Sequence, residues 1–101
     1  MNKQNKYIEE IKQEVLRYLA DEDVSIALFG SRARDDARPG SDVDIALIPE
    51  HGYDRRKLVL LREHLEQMNT PYKVELVELN QVSETFREQV MSDMIWWKLR
   101  R

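Results

Sequence analysis

The sequence contains no cysteine, which excludes disulfide bonds and thiolate metal sites. Sixteen basic side chains face nineteen acidic ones, so the net charge of −3 gives no general attraction to a nucleic-acid backbone. We therefore expect no direct binding of nucleic acid. No apolar run approaches the length of a membrane span, and the first residues are too polar for a signal peptide. We therefore expect no membrane association and a cytoplasmic location.

The chain itself is short and highly charged. Its 101 residues suit a single domain over positions 1–101, with one core and no room for a separate substrate-binding domain. Hydrophobic residues make up 42% of the sequence and charged residues 35%. Most of this charge must therefore lie on exposed helix faces.

Three segments carry apolar residues at helical spacing. The first covers residues 3–20, with Ile8, Ile11 and Val15 on one face. The second follows Asp54, a suitable N-cap residue, and ends before Pro71. The third begins at Ser83 and is predicted to continue as a helix through residue 99.

Three shorter apolar segments predict strands, at Val24–Phe29, residues 42–48 and residues 73–79. A short helix over residues 31–37, with Ser31 as its N-cap, is expected between the first two strands. The predicted fold class is α+β: a small mixed sheet of three or more strands with helices packed on one face. The pairing sense of the first two strands is left open.

Asp42 and Asp44 are the first candidate metal ligands. Residues two apart on a strand point to the same face, so these carboxylates would repel each other unless a cation lay between them. Mg²⁺ prefers such oxygen ligands, and two metals between carboxylates suit in-line displacement at phosphorus. An Asp-x-Asp pair at a strand start is, by itself, more often a turn or capping element.

The Gly30-Ser31 pair adds a candidate phosphate site. Glycine permits close approach of an anion to the backbone, and Ser31 and the first amides of the following helix are donors. The alternative is simply a capped helix after a strand. Arg32 and Arg34 do not share a helix face, so we expect one to bind phosphate and the other to form a surface ion pair.

Together, GSRAR at residues 30–34 and SDVD at residues 41–44 resemble the signature of the polymerase β-like nucleotidyltransferase superfamily. The spacer includes Ala37-Arg38-Pro39, and the chain length resembles that of the minimal nucleotidyltransferase (MNT-type) antitoxins. The resemblance extends over about residues 25–97. It implies that Gly30, Ser31, Arg32, Arg34 and Ser41 contact the nucleotide phosphates.

The same resemblance implies a third metal-binding carboxylate on the third strand. The matching position is Glu75, where aspartate is usual in the superfamily. The additional methylene moves the carboxylate by more than about 1 Å, which matters because Mg²⁺ requires near-ideal geometry. Glu78 is a less favoured alternative, since it lies on the opposite face of a regular strand. Asp35 stands where relatives often have glycine.

The function implied is transfer of AMP from ATP with Mg²⁺, most simply two ions, held by Asp42, Asp44 and Glu75. The implied partner is a small helical HEPN-type RNase toxin, which such antitoxins neutralise by binding or by adenylylating a tyrosine. A second hypothesis is a binding module with a weakened site that captures the toxin sterically. A third is transfer to a small molecule such as an aminoglycoside.

The C-terminal segment suggests a contact surface. Met94, Trp96 and Trp97 on the predicted last helix give it a wide apolar face, and tryptophan is enriched at interface hot spots. We therefore expect a toxin contact or self-association there, with contribution to the core as the alternative. His51 and His64 have no metal-ligand spacing and are expected at the surface.

Overall fold

The computed structural model describes residues 3–38, 40–50 and 53–99, with residues 3–5 described by their backbone alone. The helices and strands follow in the order α1 (Lys3–Tyr18), β1 (Val24–Phe29), α2 (Ser31–Arg34), β2 (Val43–Pro49), α3 (Arg55–Gln67), β3 (Val74–Glu78), a 3₁₀ turn (Leu79–Gln81), α4 (Glu84–Asp93) and β4 (Ile95–Lys98).

The four strands form one mixed sheet in the order β3-β2-β1-β4. β1 pairs antiparallel with β2 on one side and with β4 on the other. β2 pairs in parallel with β3, and this register places Asp44 opposite Glu75. The pairing that the sequence left open is therefore antiparallel for the first two strands. The predicted α+β class with a mixed sheet is confirmed.

One face of the sheet carries the larger part of the core. Alternate residues of β1 and β2, such as Ile26 and Ile45, pack there against Ile11 and Val15 of α1 and Leu61 of α3. The buried residues of both helices recur at three- and four-residue intervals, as their amphipathic patterns predict. Asp54 accepts a hydrogen bond from the Arg56 amide at 2.9 Å, which confirms it as the N-cap of α3.

The other face of the sheet is also covered, by α4. Phe29 and Ala46 point to this side and pack with Leu79 and with Val90 of α4. The expectation that all helices lie on one face is therefore wrong. Strands covered on both faces are typically apolar along their whole length. β1 is apolar except for Ser25, and all six of its residues are buried.

The predicted helix over residues 83–99 is wrong in its last third, after residue 93. Ser83 caps α4 by accepting a hydrogen bond from the Phe86 amide, but the helix ends at Asp93, and β4 follows it. Isoleucine and tryptophan favour strands, and β4 pairs with the edge of β1 that β2 leaves open. Lys98 then fixes the strand by donating to the carbonyls of Leu19 (2.9 Å) and Glu22 (2.7 Å).

This change moves the predicted contact surface from a helix to an edge strand. Trp97 packs against the core on the α1 side, and Met94 packs with the α4 cluster. Trp96 remains 41% exposed beside Ile95. Self-association through these residues stays a prediction.

α2 is shorter than predicted and begins differently. Gly30 is its N-cap, so Ser31 is its first helical residue rather than its cap. The helix ends at Arg34 because Asp35 adopts a left-handed conformation with φ of 61° and ψ of 33°. Glycine adopts this conformation without strain, which fits the glycine that the resemblance implies at this position.

The prediction that both histidines lie at the surface can be compared with the structure only for His64. His51 lies outside the described residues. His64 is half-buried rather than at the open surface: its Nε2 lies 2.8 Å from Glu14 Oε1, and its ring stacks on Tyr18. In the part of the chain that the structure describes, none of the helices has the length and apolar character needed to cross a membrane.

Candidate active site

The site begins where β1 turns into α2, at Gly30. Its φ of 77° and ψ of −155° lie in a region that only glycine occupies readily. A Cβ on this residue would lie 2.6 Å from Oδ2 of Asp44, closer than real Cβ contacts come. Phe29 is paired with Asp44 across the two strands, which holds that carboxylate beside the turn. Gly30 is therefore needed for its backbone conformation and for the space that Asp44 occupies.

The three predicted metal ligands lie near one another: Asp44 is on β2, Glu75 is on the adjacent β3, and Asp42 comes just before β2. Asp44 of β2 is directly opposite Glu75 of β3, and Asp42 precedes Asp44 by two residues. Desolvation raises the pKa of Asp44, and the negative charges of Asp42 and Glu75 raise it further, whereas Arg34 acts in the opposite direction. The structure thus brings together the acidic residues that the sequence singled out.

The chemistry of this donor set fits a hard divalent cation, since all three groups are carboxylates and two of them raise the pKa of the third. These side chains are not arranged around one point, however. Among the described residues, no group of three acidic or histidine side chains is positioned to hold a metal ion. The Glu75 carboxylate instead forms an ion pair of 3.1 Å with Lys73. This ion pair raises the pKa of Lys73, and the charge of Asp42 contributes.

Glu78, the alternative third ligand, forms hydrogen bonds away from the acidic site. It is buried, and its Oε2 accepts hydrogen bonds from the Tyr53 hydroxyl at 2.7 Å and from Arg55 at 2.8 Å. Burial of the Tyr53 hydroxyl and its hydrogen bond to Glu78 raise the pKa of Tyr53. Because Glu78 and Glu75 are three residues apart on β3, they lie on opposite faces, and Glu78 anchors the start of α3 instead.

Arg32 and Arg34 are separated as their spacing suggested. Arg32 is only 8% exposed, donates to the Ser41 carbonyl at 2.9 Å and lies 4.3 Å from the centre of the Tyr72 ring. These contacts hold the segment that leads into Asp42. Ser41 also closes a turn by accepting from the Arg38 amide at 3.0 Å. Phosphate binding by Arg32 and Ser41 stays a prediction, since the contacts observed here are structural.

Arg34 is the arginine that faces the open side of the site. It is half-exposed and pairs with Asp36 at 3.1 Å and with Asp93 of α4 at 3.3 Å. The hydrogen bond that Arg34 donates to Asp36, followed by the one that it donates to Asp93, raises the pKa of Arg34. Arg34 also lines a cavity of about 460 Å³ that runs from Gly30 to Phe86. The cavity therefore lies beside the first turn of α2.

The motif did not reveal several of these neighbours. Lys73 lies two residues before Glu75, a spacing that predicts a shared face and could have been recognised from the sequence. Phe86 and Asp93 come from α4, which the sequence did not place over this face of the sheet. Their proximity depends on the position of α4 and has no local signal.

Comparison with known proteins agrees with this geometry. Residues 7–96 match the family described as Polymerase beta, Nucleotidyltransferase. A relative from Haemophilus influenzae, named as a probable protein adenylyltransferase MntA, is 35% identical over 66 residues. That match covers 65% of this chain and 58% of the relative, so the chain spans little more than half of the relative's length.

Solved structures show the same fold. A structure described as a minimal nucleotidyltransferase is 27% identical with a TM-score of 0.70, and the match covers 89% of this chain and 92% of the other. A toxin-antitoxin structure with AMP-PNP has a TM-score of 0.68 at 24% identity, covering 89% and 74%. A Shewanella oneidensis complex of a tri-AMPylated HEPN toxin with its MNT antitoxin has a TM-score of 0.63 at 22% identity, covering 90% and 71%. The family match and the shared fold lead to one conclusion: this chain belongs to the polymerase β nucleotidyltransferase family.

Proposed function

We propose that this protein is an antitoxin that transfers AMP from ATP to a tyrosine hydroxyl of a HEPN-type RNase toxin, in the cytoplasm and with Mg²⁺. The observation that carries this proposal is the position of Asp44, which lies against the Gly30 turn on one side and opposite Glu75 on the other. The candidate phosphate-binding groups and the candidate cation-binding groups are thereby neighbours, which supports the proposal. The names of the Haemophilus relative and of the toxin-antitoxin neighbours support the choice of nucleotide and partner.

The candidate site residues would have different roles in the reaction. Asp42, Asp44 and Glu75 would hold the cations, which neutralise phosphate charge and lower the pKa of the attacking hydroxyl. Gly30, Ser31 and Arg34 would bind the phosphates beside the cavity. The acceptor oxygen forms a bond to the α-phosphorus as the bond from that phosphorus to the bridging oxygen breaks, and pyrophosphate leaves. Glu75 would accept the hydroxyl proton.

Incubation of the protein with α-labelled ATP, Mg²⁺ and the toxin encoded beside it tests the proposal. We expect label on the toxin with the wild type and at least about 100-fold less with Asp44→Asn, because loss of a metal-binding carboxylate removes several kcal/mol of transition-state stabilisation. Asp54→Asn is a matched control: it removes the same charge from the cap of α3, where asparagine caps as well as aspartate. Unlabelled toxin in all reactions would exclude the transferase function.

A second candidate is steric neutralisation without catalysis, and two observations favour it. Glu75 forms an ion pair with Lys73, and no three acidic or histidine side chains of the described residues are positioned to hold a metal ion. Toxin neutralisation by Asp44→Asn separates the two. If the variant protects RNA from the toxin as well as the wild type does and no label is transferred, the binding module is the correct description.

A further inference from the structure

Lys73 is the one basic residue described here that forms an ion pair with a candidate metal ligand. Its Nζ lies 3.1 Å from Oε1 of Glu75, and both side chains are open to solvent, at 71% and 44% exposure. The family signature does not include this residue. Its position nevertheless makes it part of the acidic site.

The backbone fixes Lys73 at this place. The Val43 amide donates to the Lys73 carbonyl at 2.9 Å, at the start of the parallel pairing between β2 and β3. Lys73 is therefore level with the segment that carries Asp42 and Asp44. It also lies two residues before Glu75, so the two side chains point to the same face.

Arg34 also acts on the acidic residues of the site, but it forms its ion pairs with other residues. Arg34 lowers the pKa of Asp44, but its guanidinium pairs with Asp36 and Asp93. The ammonium of Lys73 thus provides a positive charge that pairs directly with the acidic site. A divalent cation that uses Glu75 must compete with it.

We propose that Lys73 is a built-in counter-ion that holds the Glu75 carboxylate outside the metal position, so that cation binding requires the Lys73–Glu75 ion pair to open. Lys73 is thus a positioning residue that acts through Glu75 and sets the affinity of the site for the cation. The inference rests on the proposed function only in taking these carboxylates as metal ligands. It explains why Glu75, although opposite Asp44, does not complete a three-carboxylate group.

Calorimetric titration of the full chain with Mg²⁺ and with Mn²⁺, without nucleotide or toxin, tests the inference. Lys73→Met should bind the cation about 5- to 10-fold more tightly than the wild type at low salt, because a competing charge a few ångströms from the ion is removed. Lys73→Arg, which keeps the charge, should remain within about 2-fold of the wild type. The gain should shrink at high salt, where exposed charges are screened.

Lys57→Met is the matched control. It removes the same charge and breaks an ion pair of similar length, 3.0 Å to Glu22, at the start of α3. Its cation affinity should equal that of the wild type. Equal tightening by both methionine variants would show a general charge effect and would overturn the inference.

The remaining outcomes are equally decisive. Cation binding by Lys73→Met where the wild type shows none supports the inference in its strongest form. Unchanged, weaker or absent cation binding by Lys73→Met overturns it. Label transfer from ATP by the wild type is measured separately. If the wild type transfers label but Lys73→Met has unchanged cation affinity, only the role of Lys73 is disproved. If Lys73→Met binds the cation more tightly but the wild type transfers no label, only the transferase function is disproved.

Discussion

Replacement of Gly30 by alanine should destabilise the protein and displace the Asp44 carboxylate. The φ of 77° and ψ of −155° are strained for any residue with a Cβ, at a cost of about 1–3 kcal/mol. The new Cβ would also lie 2.6 Å from Asp44 Oδ2, whereas real Cβ atoms essentially never come within 3.0 Å, so the carboxylate must retreat by at least about 0.4 Å. A loss of about 2 kcal/mol corresponds to a decrease in Tm of about 8–16 °C for a domain of this size.

Gly40→Ala is the matched control. Its φ of 87° is also left-handed, but nothing lies within 4 Å of the added Cβ, so this variant reports backbone strain without a contact. Urea unfolding in EDTA, followed by the fluorescence of Trp96 and Trp97, measures the free energy of unfolding of each variant. We expect Gly30→Ala to be the less stable and to lose label transfer, whereas Gly40→Ala should keep it.

A double-mutant cycle isolates the contact itself. If the Cβ at position 30 is repelled by the carboxylate, Gly30→Ala should cost less in an Asp44→Ala background than in the wild type. Equal losses in both backgrounds, together with equal label transfer by the two glycine variants, would refute the argument that Gly30 makes room for Asp44.

Three further predictions concern charge and backbone conformation. Asp44→Asn should raise the Tm in EDTA at neutral pH, because the raised pKa of Asp44 means that its charged form is disfavoured in the folded protein, and Mg²⁺ should then raise the Tm of the wild type but not of the variant. Asp35→Gly should be neutral or stabilising in thermal unfolding, whereas Asp35→Val should cost about 1–2 kcal/mol, because a β-branched residue is strained at φ of 61°. The hydrogen bond from Arg17, followed by that from His64, lowers the pKa of Glu14 from 4.5 to about 2, so its contribution is complete above pH 4.5 and is lost as the pH falls through about 2. Glu14→Gln should therefore flatten the acid limb of stability measured by urea unfolding between pH 5 and 2, and an unchanged limb would contradict this assignment.

Much of the fold could be predicted because its signals are local. The helical periodicity of α1 and α3 and the apolar runs of the first three strands are visible in the sequence, and tertiary packing preserves them. β4 was missed because Ile95-Trp96-Trp97 follows α4 at a spacing compatible with one continuous helix. Its strand conformation depends on the open edge of β1 and on the Lys98 contacts near the end of α1, which are both distant in sequence.

In the site, too, the features with a local sequence signal could be predicted and those that depend on distant residues could not. Gly30, Asp42 and Asp44 are close in sequence, so one motif identified them, and strand alternation distinguished Glu75 from Glu78. The separate positions of Arg32 and Arg34 follow from their helix spacing, but which of the two is buried depends on Tyr72, forty residues away from Arg32. The sequence shows Asp35 only as a departure from the family pattern, and its left-handed backbone conformation has no signal in a single sequence.

The attachment of α4 has a dynamic consequence. Val90 is the buried residue of this helix, and burial of one valine contributes about 1.5–3 kcal/mol. The wall that carries Phe86 and Asp93 should therefore detach from the sheet at a free energy below that of global unfolding, with amides that exchange sooner than those of β1 and β2. The cavity wall formed by α4 is therefore expected to open while the central strands stay in register, and faster amide exchange in α4 than in β2 would show it.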